Sequence, residues 1–403
     1  MEADVFLGKT PLSLARNAAS FLVFWLKYRV DNRVYQVKFV NIMGEVNQVF
    51  SHRLRQARAM ARLSLRELSD AIGNRVSYNA LSKYEKGEMM PSGEVLAALA
   101  AALHQPADFF FRSFRVELAD IRFRKRVKLS ATEQSAIVEE ARDFLERYCE
   151  VEQLLGCVIR FERPFTKKEV VRSEADAENA ARLLRNDKWN LGGDPLPNVH
   201  ELLELKGIKV HESETMDEAF DGFSGMANGS PVVVIARWLN KNLPRKRMTE
   251  VHELAHVVLN IPEIVSAKEI ERIVSRFAGA LLLPEESFRK MFGEGRRTIS
   301  LGELIQIKAF FGASIMAIMK RAEQLGLISR PVYERFSMVA NQQRWRSEGE
   351  PGDDEYCGDE SHSRFRQLVF RAVAEGVISS SKGAAYLKIG LDEFRGQFQQ
   401  LFA

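Results

Sequence analysis

Cysteine is scarce in this 403-residue sequence, and the apolar stretches are short. Its three cysteines, Cys149, Cys157 and Cys357, form no CxxC pair, so the sequence indicates neither a disulfide framework nor a cysteine zinc site. The one candidate membrane segment, AASFLVFWL at residues 18–26, is about half as long as the roughly 20 apolar residues that a spanning helix needs. We therefore expect a cytoplasmic protein without a membrane anchor.

A strong charge bias and an internal repeat of fixed period are also missing. The 58 basic and 54 acidic residues give a net charge of +4, which permits a nucleic-acid partner without requiring one. Hydrophobic residues make up 46% of the chain, which is enough for ordinary globular cores. The length predicts roughly two to four domains.

Changes of pattern along the chain divide it into segments. They are, in order, an N-terminal extension of unknown role (1–42), a domain of short helices (47–111), a basic connector with a long helix (112–175), a domain that mixes helices and strands (176–338), an acidic linker (339–363) and a small helical C-terminal unit (364–403). The expected fold class is therefore multidomain and mostly α, with an all-α domain followed by an α+β domain.

Two short helices joined by a tight turn are predicted in segment 47–111. Residues 64–67, SLRE, form a capping box at the start of the first helix. Ser77 caps the second helix, in which Leu81 and Tyr84 point inward. The outer face of that helix carries Tyr78, Asn79, Ser82, Lys83 and Lys86. This geometry is typical of helices that enter the DNA major groove, although a plain helical bundle has the same pattern.

Most of this segment resembles the Cro/C1-type helix-turn-helix family, through RLRQAR, LSLRELS and VSYNALSKYEKGEMMPS. The resemblance implies a homodimer on a double-stranded DNA operator, with an internal brace between Arg58 and Glu85. It places Tyr78, Asn79 and Lys83 where the family reads base edges, and Ser82 on the same outer face is added to the expected DNA contacts. Because Leu65 stands where the family commonly has a glutamine, and the turn before Ser77 is longer than in the shortest members, the operator sequence is not carried over.

The connector that follows is rich in basic residues. Arg122, Arg124, Lys125, Arg126 and Lys128 could add phosphate contacts and steepen the salt dependence of DNA binding. A solvated charged linker explains the same composition, so the sequence leaves both interpretations open.

The stretch EVHELAHVVLN, residues 250–260, has the spacing of a helical metal site. His252 and His256 are four residues apart, so on a helix they project from one face and can bind a single ion. Glu253 lies about 100° round the helix, where it can polarise a water on that ion without being a ligand. The other side chains are mostly apolar, which predicts a largely buried helix.

A third ligand is predicted on the next helix, where Glu271 falls at the edge of an apolar stripe formed by Ile264, Ala267, Ile270, Val274, Phe277, Ala278 and Leu281. Two histidines, this glutamate and a water or substrate oxygen give the ligand set of a catalytic Zn²⁺. Two alternatives remain open. Glu271 could form an ion pair with Lys268 or Arg272, or Glu263 could be the ligand, although the helix dipole explains an acid at that position.

Short strands are predicted ahead of these two helices. GIKVHE is interpreted as one strand, and FSGMANGSPVVVIA as two strands around an Asn228-Gly229 turn. The second strand of this hairpin, residues 232–236, is expected to accept an extended peptide by edge pairing.

Residues 177–288 resemble the ImmA/IrrE family of zinc-dependent endopeptidases, through RKRMTEVHELAHVVLN and EIERIVSRFAGALLLP. The flanking FRKRVKLSATEQSAI and RFRQLVFRAVAEGVIS resemble members that fuse a repressor-type helix-turn-helix to this domain. The resemblance implies a zincin-like α+β domain that holds Zn²⁺ through His252, His256 and Glu271, with Glu253 as catalytic base. The implied substrate is a helix-turn-helix repressor, encoded nearby or on a mobile element, whose cleavage relieves repression, for example under stress.

The sequence leaves the use of this site open. Ala255 and Asn260 stand where many members have glycine and histidine, but the ligand set needs neither, and Asn260 is expected to end the helix. A DNA-binding regulator or antitoxin-like protein with a non-cleaving, sensing domain fits the same residues. An accidental HExxH on a buried helix is a third hypothesis, and it predicts a protein without stoichiometric zinc.

Overall fold

The computed structural model describes residues 33–113, 116–123, 129–361 and 364–400. The chain forms two compact units, Met1–Arg115 with Ser130–Asp143, and Val116–Leu129 with Phe144–Ala403. Most of the predicted N-terminal extension (1–42) lies outside the described residues. The same holds for four of the basic connector residues, Arg124, Lys125, Arg126 and Lys128.

The first unit is built from helices in its described residues. They are α1 (Arg33–Met60), α2 (Leu65–Ala71), α3 (Tyr78–Lys86), α4 (Gly93–Ala102) and the first part of α5 (Ala131–Leu155), with a 3₁₀ turn at Ala107–Phe111. Ser64, Ser77 and Ser92 are the N-caps of α2, α3 and α4, which confirms the capping box of α2 and the cap of α3. Buried apolar residues of these helices form one core, among them Phe50, Leu54, Leu68, Leu81, Leu99 and Phe109.

α1 begins earlier than the sequence predicts. It runs for 28 residues from Arg33, whereas the predicted domain of short helices starts at residue 47. The stretch RVYQVKFVNIMGEV is rich in valine and contains a glycine, and both residue types have low helix propensity. The end of the predicted N-terminal extension is therefore helical, although its sequence does not indicate a helix.

The second unit contains a four-stranded sheet in its described residues. The strands are β1 (Leu118–Phe123), β2 (Lys209–Ser213), β3 (Gly222–Ala227) and β4 (Ser230–Ala236), in the order β1-β3-β4-β2. β2 is parallel to β4, and β3 is antiparallel to both β4 and β1. Asn228 and Gly229 have φ angles of 49° and 81°, which confirms the predicted hairpin turn.

The prediction that residues 232–236 form a peptide-binding edge is wrong. These residues belong to β4, which is paired with β3 on one side and with β2 on the other, so its backbone has no free edge. The outer position beside β3 is taken by β1, which comes from the predicted basic connector. β1 is short, contains a bulge and has Asp120 at a φ of 52°, so no regular alternation in the sequence marks it as a strand.

The helices of the second unit that follow α5 are α6 (Glu174–Leu183), α7 (Val199–Leu205), α8 (Leu243–Val258), α9 (Ala267–Leu282), α10 (Glu285–Phe292), α11 (Leu301–Phe311), α12 (Ile315–Gln324), α13 (Arg330–Gln342), α14 (Trp345–Glu348), α15 (Arg364–Ala374), α16 (Ser380–Leu387) and α17 (Leu391–Gln400). α8 packs on β3 and β4, and α9 packs on α8 and α6. α15 to α17 form a separate core with the last part of α5, around Tyr148, Val369 and Phe394.

The predicted acidic linker (339–363) packs against the second unit where the structure describes it. Lys308 is fully buried and forms ion pairs with Glu350, at 3.3 Å, and with Asp353. Arg247 of α8 is also fully buried and forms an ion pair with Glu360. The basic partners of these acids lie far away in the sequence. Composition alone therefore suggests a solvated linker, whereas in the folded protein ion pairs with buried basic residues hold the segment.

No single helix in the described residues is both long and apolar enough to cross a membrane. Taken together, α11 and α12 are long and apolar enough, but this holds by length and composition alone, and the two helices meet at an angle of 96°.

Candidate functional site

α8 brings the two histidines of the HExxH stretch onto one face. The helix starts at Asn242, whose side chain accepts a hydrogen bond from the Arg245 N–H. Most of its residues are buried because it packs on β3 and β4. His252 and Glu253 are buried and His256 is partly exposed, and the two histidine rings have their centroids 5.1 Å apart. Both imidazoles can therefore reach one ion, as the spacing predicts.

α9 places a carboxylate at the same point. The helix begins with a capping box between Ser266 and Glu269, whose hydrogen bonds hold the pKa of the Glu269 carboxyl below its ordinary value. Its apolar face is buried from Ile273 onward, and Glu271 lies at the edge of that face with 48% of its side chain exposed. The predicted stripe is wrong at Ile264, which is 91% exposed because it precedes the helix.

His252, His256 and Glu271 form a cluster whose donor atoms, one from each side chain, all lie within 4.8 Å of one another. The distance from His252 Nε2 to Glu271 Oε2 is 3.5 Å, and that from His256 Nε2 to Glu271 Oε1 is 3.7 Å. Bonds of about 2.0–2.1 Å in tetrahedral geometry require donor atoms about 3.3 Å apart. Two imidazoles and a carboxylate at these distances can therefore hold a metal ion, and they have the donor chemistry that Zn²⁺ prefers.

The contacts argue against two of the alternatives for Glu271, an ion pair with Arg272 and replacement by Glu263. Arg272 forms an ion pair with Glu174 at 2.5 Å, so its guanidinium is engaged by a different carboxylate. Glu263 is not a member of the donor cluster. Among the described residues, Glu271 is thus the carboxylate that completes the group with the two histidines.

Glu178 of α6 fixes the helix that contains Glu271. Its carboxylate accepts hydrogen bonds of 2.6 Å from Arg276 of α9 and, through both oxygens, from Arg321 of α12. Burial alone would raise the pKa of the Glu178 carboxyl, but the hydrogen bonds and charges of Arg321 and Arg276 outweigh it and hold that pKa below the ordinary value. Three helices are therefore joined by one ionised carboxylate, a residue that the sequence analysis missed.

Replacing this carboxylate should destabilise the second unit. We expect Glu178→Gln to lower the free energy of unfolding by about 2 kcal/mol at neutral pH, because an amide cannot balance two guanidinium groups. Since the folded-state pKa is lowered, the stabilisation is present above the ordinary pKa and is lost as the pH falls through the folded value. Urea unfolding of variant and parent should therefore differ at neutral pH and converge as the pH falls below the ordinary carboxyl pKa and through the lowered folded value.

The matched control is Glu286→Gln, which removes an exposed ion pair with Lys290 of α10 and should leave the urea midpoint unchanged. A Glu178→Gln difference of the same size in acid and at neutral pH would contradict the role assigned to the ionised carboxylate.

Asn260 ties the end of α8 to an earlier segment of the chain. Its side-chain amide donates to the carbonyl oxygens of Thr166, at 2.7 Å, and Glu169, at 3.2 Å, and its Oδ1 accepts from Arg163 at 3.1 Å. The helix itself ends at Val258. Asn260 therefore has a structural partner for each polar group of its side chain.

The first unit presents the residues that the sequence assigns to DNA. Leu81 and Tyr84 of α3 are buried, while Tyr78, Asn79 and Lys83 are exposed and Ser82 is partly exposed. Arg58 donates to Glu85 at 2.6 Å and 3.1 Å, so the implied internal brace is confirmed. The guanidinium of Arg66 in α2 lies 5.5 Å from the centroid of the Tyr78 ring, which adds a cation to this face that the sequence analysis missed.

Comparison with protein families identifies both parts of the chain. Residues 54–110 match the helix-turn-helix family model, and residues 203–323 match the Peptidase_M78 model, described as the IrrE N-terminal-like domain. A search of curated proteins found no match. The two matches cover α3 and the HExxH helix respectively, and they agree with the local geometry of each. The chain is thus a fusion of a helix-turn-helix DNA-binding domain with an ImmA/IrrE-like metallopeptidase-family domain.

Proposed function

We propose that the protein is a transcriptional regulator whose second unit is a zinc-dependent endopeptidase that cleaves a repressor-type protein. The observation that carries the proposal is the donor cluster of His252, His256 and Glu271, together with buried Glu253 on the same helix as the two histidines. The match to the Peptidase_M78 model supports it independently of the geometry.

The residues of the site divide the chemistry between them. His252, His256 and Glu271 would hold Zn²⁺, which when bound supplies Lewis-acid activation of water and of a peptide carbonyl. Glu253 takes the proton from the attacking water and passes it to the leaving amine. This carboxylate is adjacent to His252 in sequence and lies outside the donor cluster, so the proposed ligand set does not use it.

Removal of the metal tests the proposal directly. We expect the zinc-loaded protein to cleave a small helix-turn-helix repressor encoded beside it, dialysis against a chelator to stop cleavage, and added Zn²⁺ to restore it. Cleavage is followed by gel electrophoresis and mass spectrometry of the fragments. A protein that binds zinc stoichiometrically, yet leaves that repressor intact under all three conditions, would favour the alternative of a non-cleaving sensor.

The proposed DNA contacts come from the exposed face of α3, with Tyr78, Asn79, Ser82 and Lys83 toward the bases, in a homodimer that spans two half-sites. We expect Lys83→Ala to weaken binding to the protein's own promoter by about tenfold or more, measured by fluorescence anisotropy. Lys290→Ala removes the same charge from the second unit and should change the affinity little.

The salt dependence then separates two kinds of contact at Lys83. If Lys83 contacts a base, Lys83→Ala should lose the preference for one DNA sequence. If Lys83 contacts a phosphate, the variant should lose affinity equally for all sequences, and the slope of log affinity against log salt concentration should be smaller in magnitude by about one. Unchanged affinity after Lys83→Ala would remove this residue from the interface.

A further inference from the structure

β1 is a strand donated by the segment that leads from the helix-turn-helix domain to the peptidase-like domain. It pairs antiparallel with β3, with Leu118 opposite Ala227, Ala119 opposite Met226 and Phe123 opposite Phe223. Neither family match includes it, since the first ends at residue 110 and the second begins at residue 203. The sheet of the second unit is therefore completed by a strand from outside the matched domain.

The position of β1 is the one that an extended peptide would need near the metal-binding helix. α8 packs on β3 and β4, whereas β2, at the other edge of the sheet, lies against α7. Among the described strands that contact α8, β4 is paired on both sides, so a peptide that adds a strand to the sheet there would join at the outer side of β3. That outer side is covered by β1.

The first four residues of β1, 118–121, contribute little to the core of the second unit. Ala119 and Asp120 are exposed and Leu118 and Ile121 are only partly buried, so these four residues bury little apolar surface. The bulge after Ala119 interrupts the ladder. A segment with few buried side chains next to an irregular stretch of the ladder has a low cost of local opening.

Three hydrogen bonds hold the start of β1 in place. The Glu117 N–H donates to Asn228 Oδ1 at 2.9 Å, and the Asn228 N–H donates to the Glu117 carbonyl at 3.1 Å. Ahead of them, Val116 is buried and its N–H donates to Glu146 at 3.3 Å. These contacts form a latch (Val116, Glu117, Asn228 and Glu146) beside residues 118–121, which bury little apolar surface.

We propose that β1 is an internal competitor of the substrate, which occupies the peptide-binding edge of β3 until it is displaced by an extended peptide. The inference rests on the proposed function and names the binding position and its regulation. It also gives the connector a role, because the strand that must leave is covalently joined to the DNA-binding domain. Peptide access to the metal site is then controlled by release of the latch.

Two variants test the proposal: one weakens the latch, and the other locks β1 to β3. Asn228→Gly removes the Oδ1 acceptor, and glycine tolerates the φ of 49° at this turn. Asn228→Asp is the matched control, because aspartate keeps the oxygen acceptor and also tolerates this φ. Ala119→Cys with Met226→Cys allows a disulfide between directly opposed residues, because cross-strand neighbours have suitable Cα distances of about 4.5–5.5 Å. The parental protein, which has three free cysteines, receives the same oxidation and reduction.

The experiment measures binding rather than cleavage. The probe is a fluorescein-labelled peptide, VELADIRF, which copies residues 116–123, and every variant is made in the Glu253→Gln background so that the probe is not consumed. By fluorescence anisotropy we expect Asn228→Gly to bind the probe at least tenfold more tightly than the oxidised double-cysteine protein. Reduction should restore parental binding to the latter, and Asn228→Asp should behave as the parent.

Equal binding to the locked and the latch-free proteins, or no binding to either, would overturn the proposal. The result is independent of peptidase activity. Suppose that the full chain cleaves no repressor, while the probe binds more tightly when β1 is unlatched than when it is locked. The proposed peptidase function would then be wrong, and the role of β1 as a competitor would be supported.

Discussion

Glu253→Gln is expected to abolish peptide cleavage while the protein keeps its metal. Glu253 is fully buried on α8, and it lies outside the cluster of three donor side chains. An amide has nearly the same shape as a carboxylate, so the fold and the ligand geometry should survive the change. It cannot accept the proton of the attacking water, however, and general acid–base catalysis is worth about 10²–10⁴-fold in rate.

The measurement pairs a rate with a metal count. We expect kcat for repressor cleavage to fall by about 10³-fold or more, with little change in KM, because proton transfer affects the transition state rather than substrate binding. Zinc per protein chain, measured by atomic absorption, should stay at the parental value. Glu263 lies in the loop between α8 and α9 and is the alternative third ligand. Glu263→Gln is therefore the matched control, and it should retain both cleavage and zinc.

The outcomes of this pair of variants separate the hypotheses. Parental cleavage by Glu253→Gln would remove that residue as the base, whereas loss of zinc would mean that it supports the ligands rather than the chemistry. Loss of zinc from Glu263→Gln would transfer the third ligand position from Glu271 to Glu263. A parent with zinc but without cleavage would leave the sensing role as the better account.

Local signals made the helix-turn-helix domain and the two histidines of the donor cluster predictable from sequence. The SLRE capping box and the Ser77 cap depend on residues three positions apart, and His252 and His256 on residues four apart, so each pattern is visible in a short stretch. Glu271 required one further step, a carboxylate at the edge of an apolar helix face. Ile264 shows the limit of that step, because the helix starts later than the stripe suggests.

Contacts between distant segments were not predictable in the same way. Glu178 finds its arginine partners 98 and 143 residues later, and no local pattern distinguishes it from other acids of α6. β1 pairs with a strand about a hundred residues further along, and its irregular sequence hides it. The error at residues 232–236 has the same origin, since whether a strand lies at an edge depends on partners elsewhere in the chain.

The acidic segment is the clearest case of a distant contact, and it leads to a second large expected effect. Arg247 of α8 donates to Glu360 and to the carbonyl oxygen of Leu196, at 2.7 Å, and lies 2.8 Å from the Tyr356 hydroxyl. Glu360 also accepts the Val199 N–H at 2.7 Å, at the start of α7. Burial raises the pKa of the Glu360 carboxyl, and the Arg247 guanidinium acts in the opposite direction.

We expect Arg247→Met to destabilise the second unit by about 3–5 kcal/mol at neutral pH, because it leaves a fully buried carboxylate without its cation and the Leu196 carbonyl without its donor. Thermal and urea unfolding measure the loss. Arg330→Met, which removes an exposed arginine paired with Glu334 on α13, is the matched control and should change the midpoint little. A small effect of Arg247→Met would restore the interpretation of residues 339–363 as a solvated linker.

The pH dependence identifies the stranded carboxylate as the cause. Removing the guanidinium takes away the group that lowers the pKa of Glu360, so the folded-state pKa of Glu360 rises further above the unfolded value. A carboxyl with a raised folded pKa contributes its stability below the unfolded pKa and loses it as the pH rises through the folded value. The deficit of Arg247→Met should therefore shrink toward about pH 4, and the double variant with Glu360→Gln should recover part of the deficit at neutral pH, because the buried charge is gone.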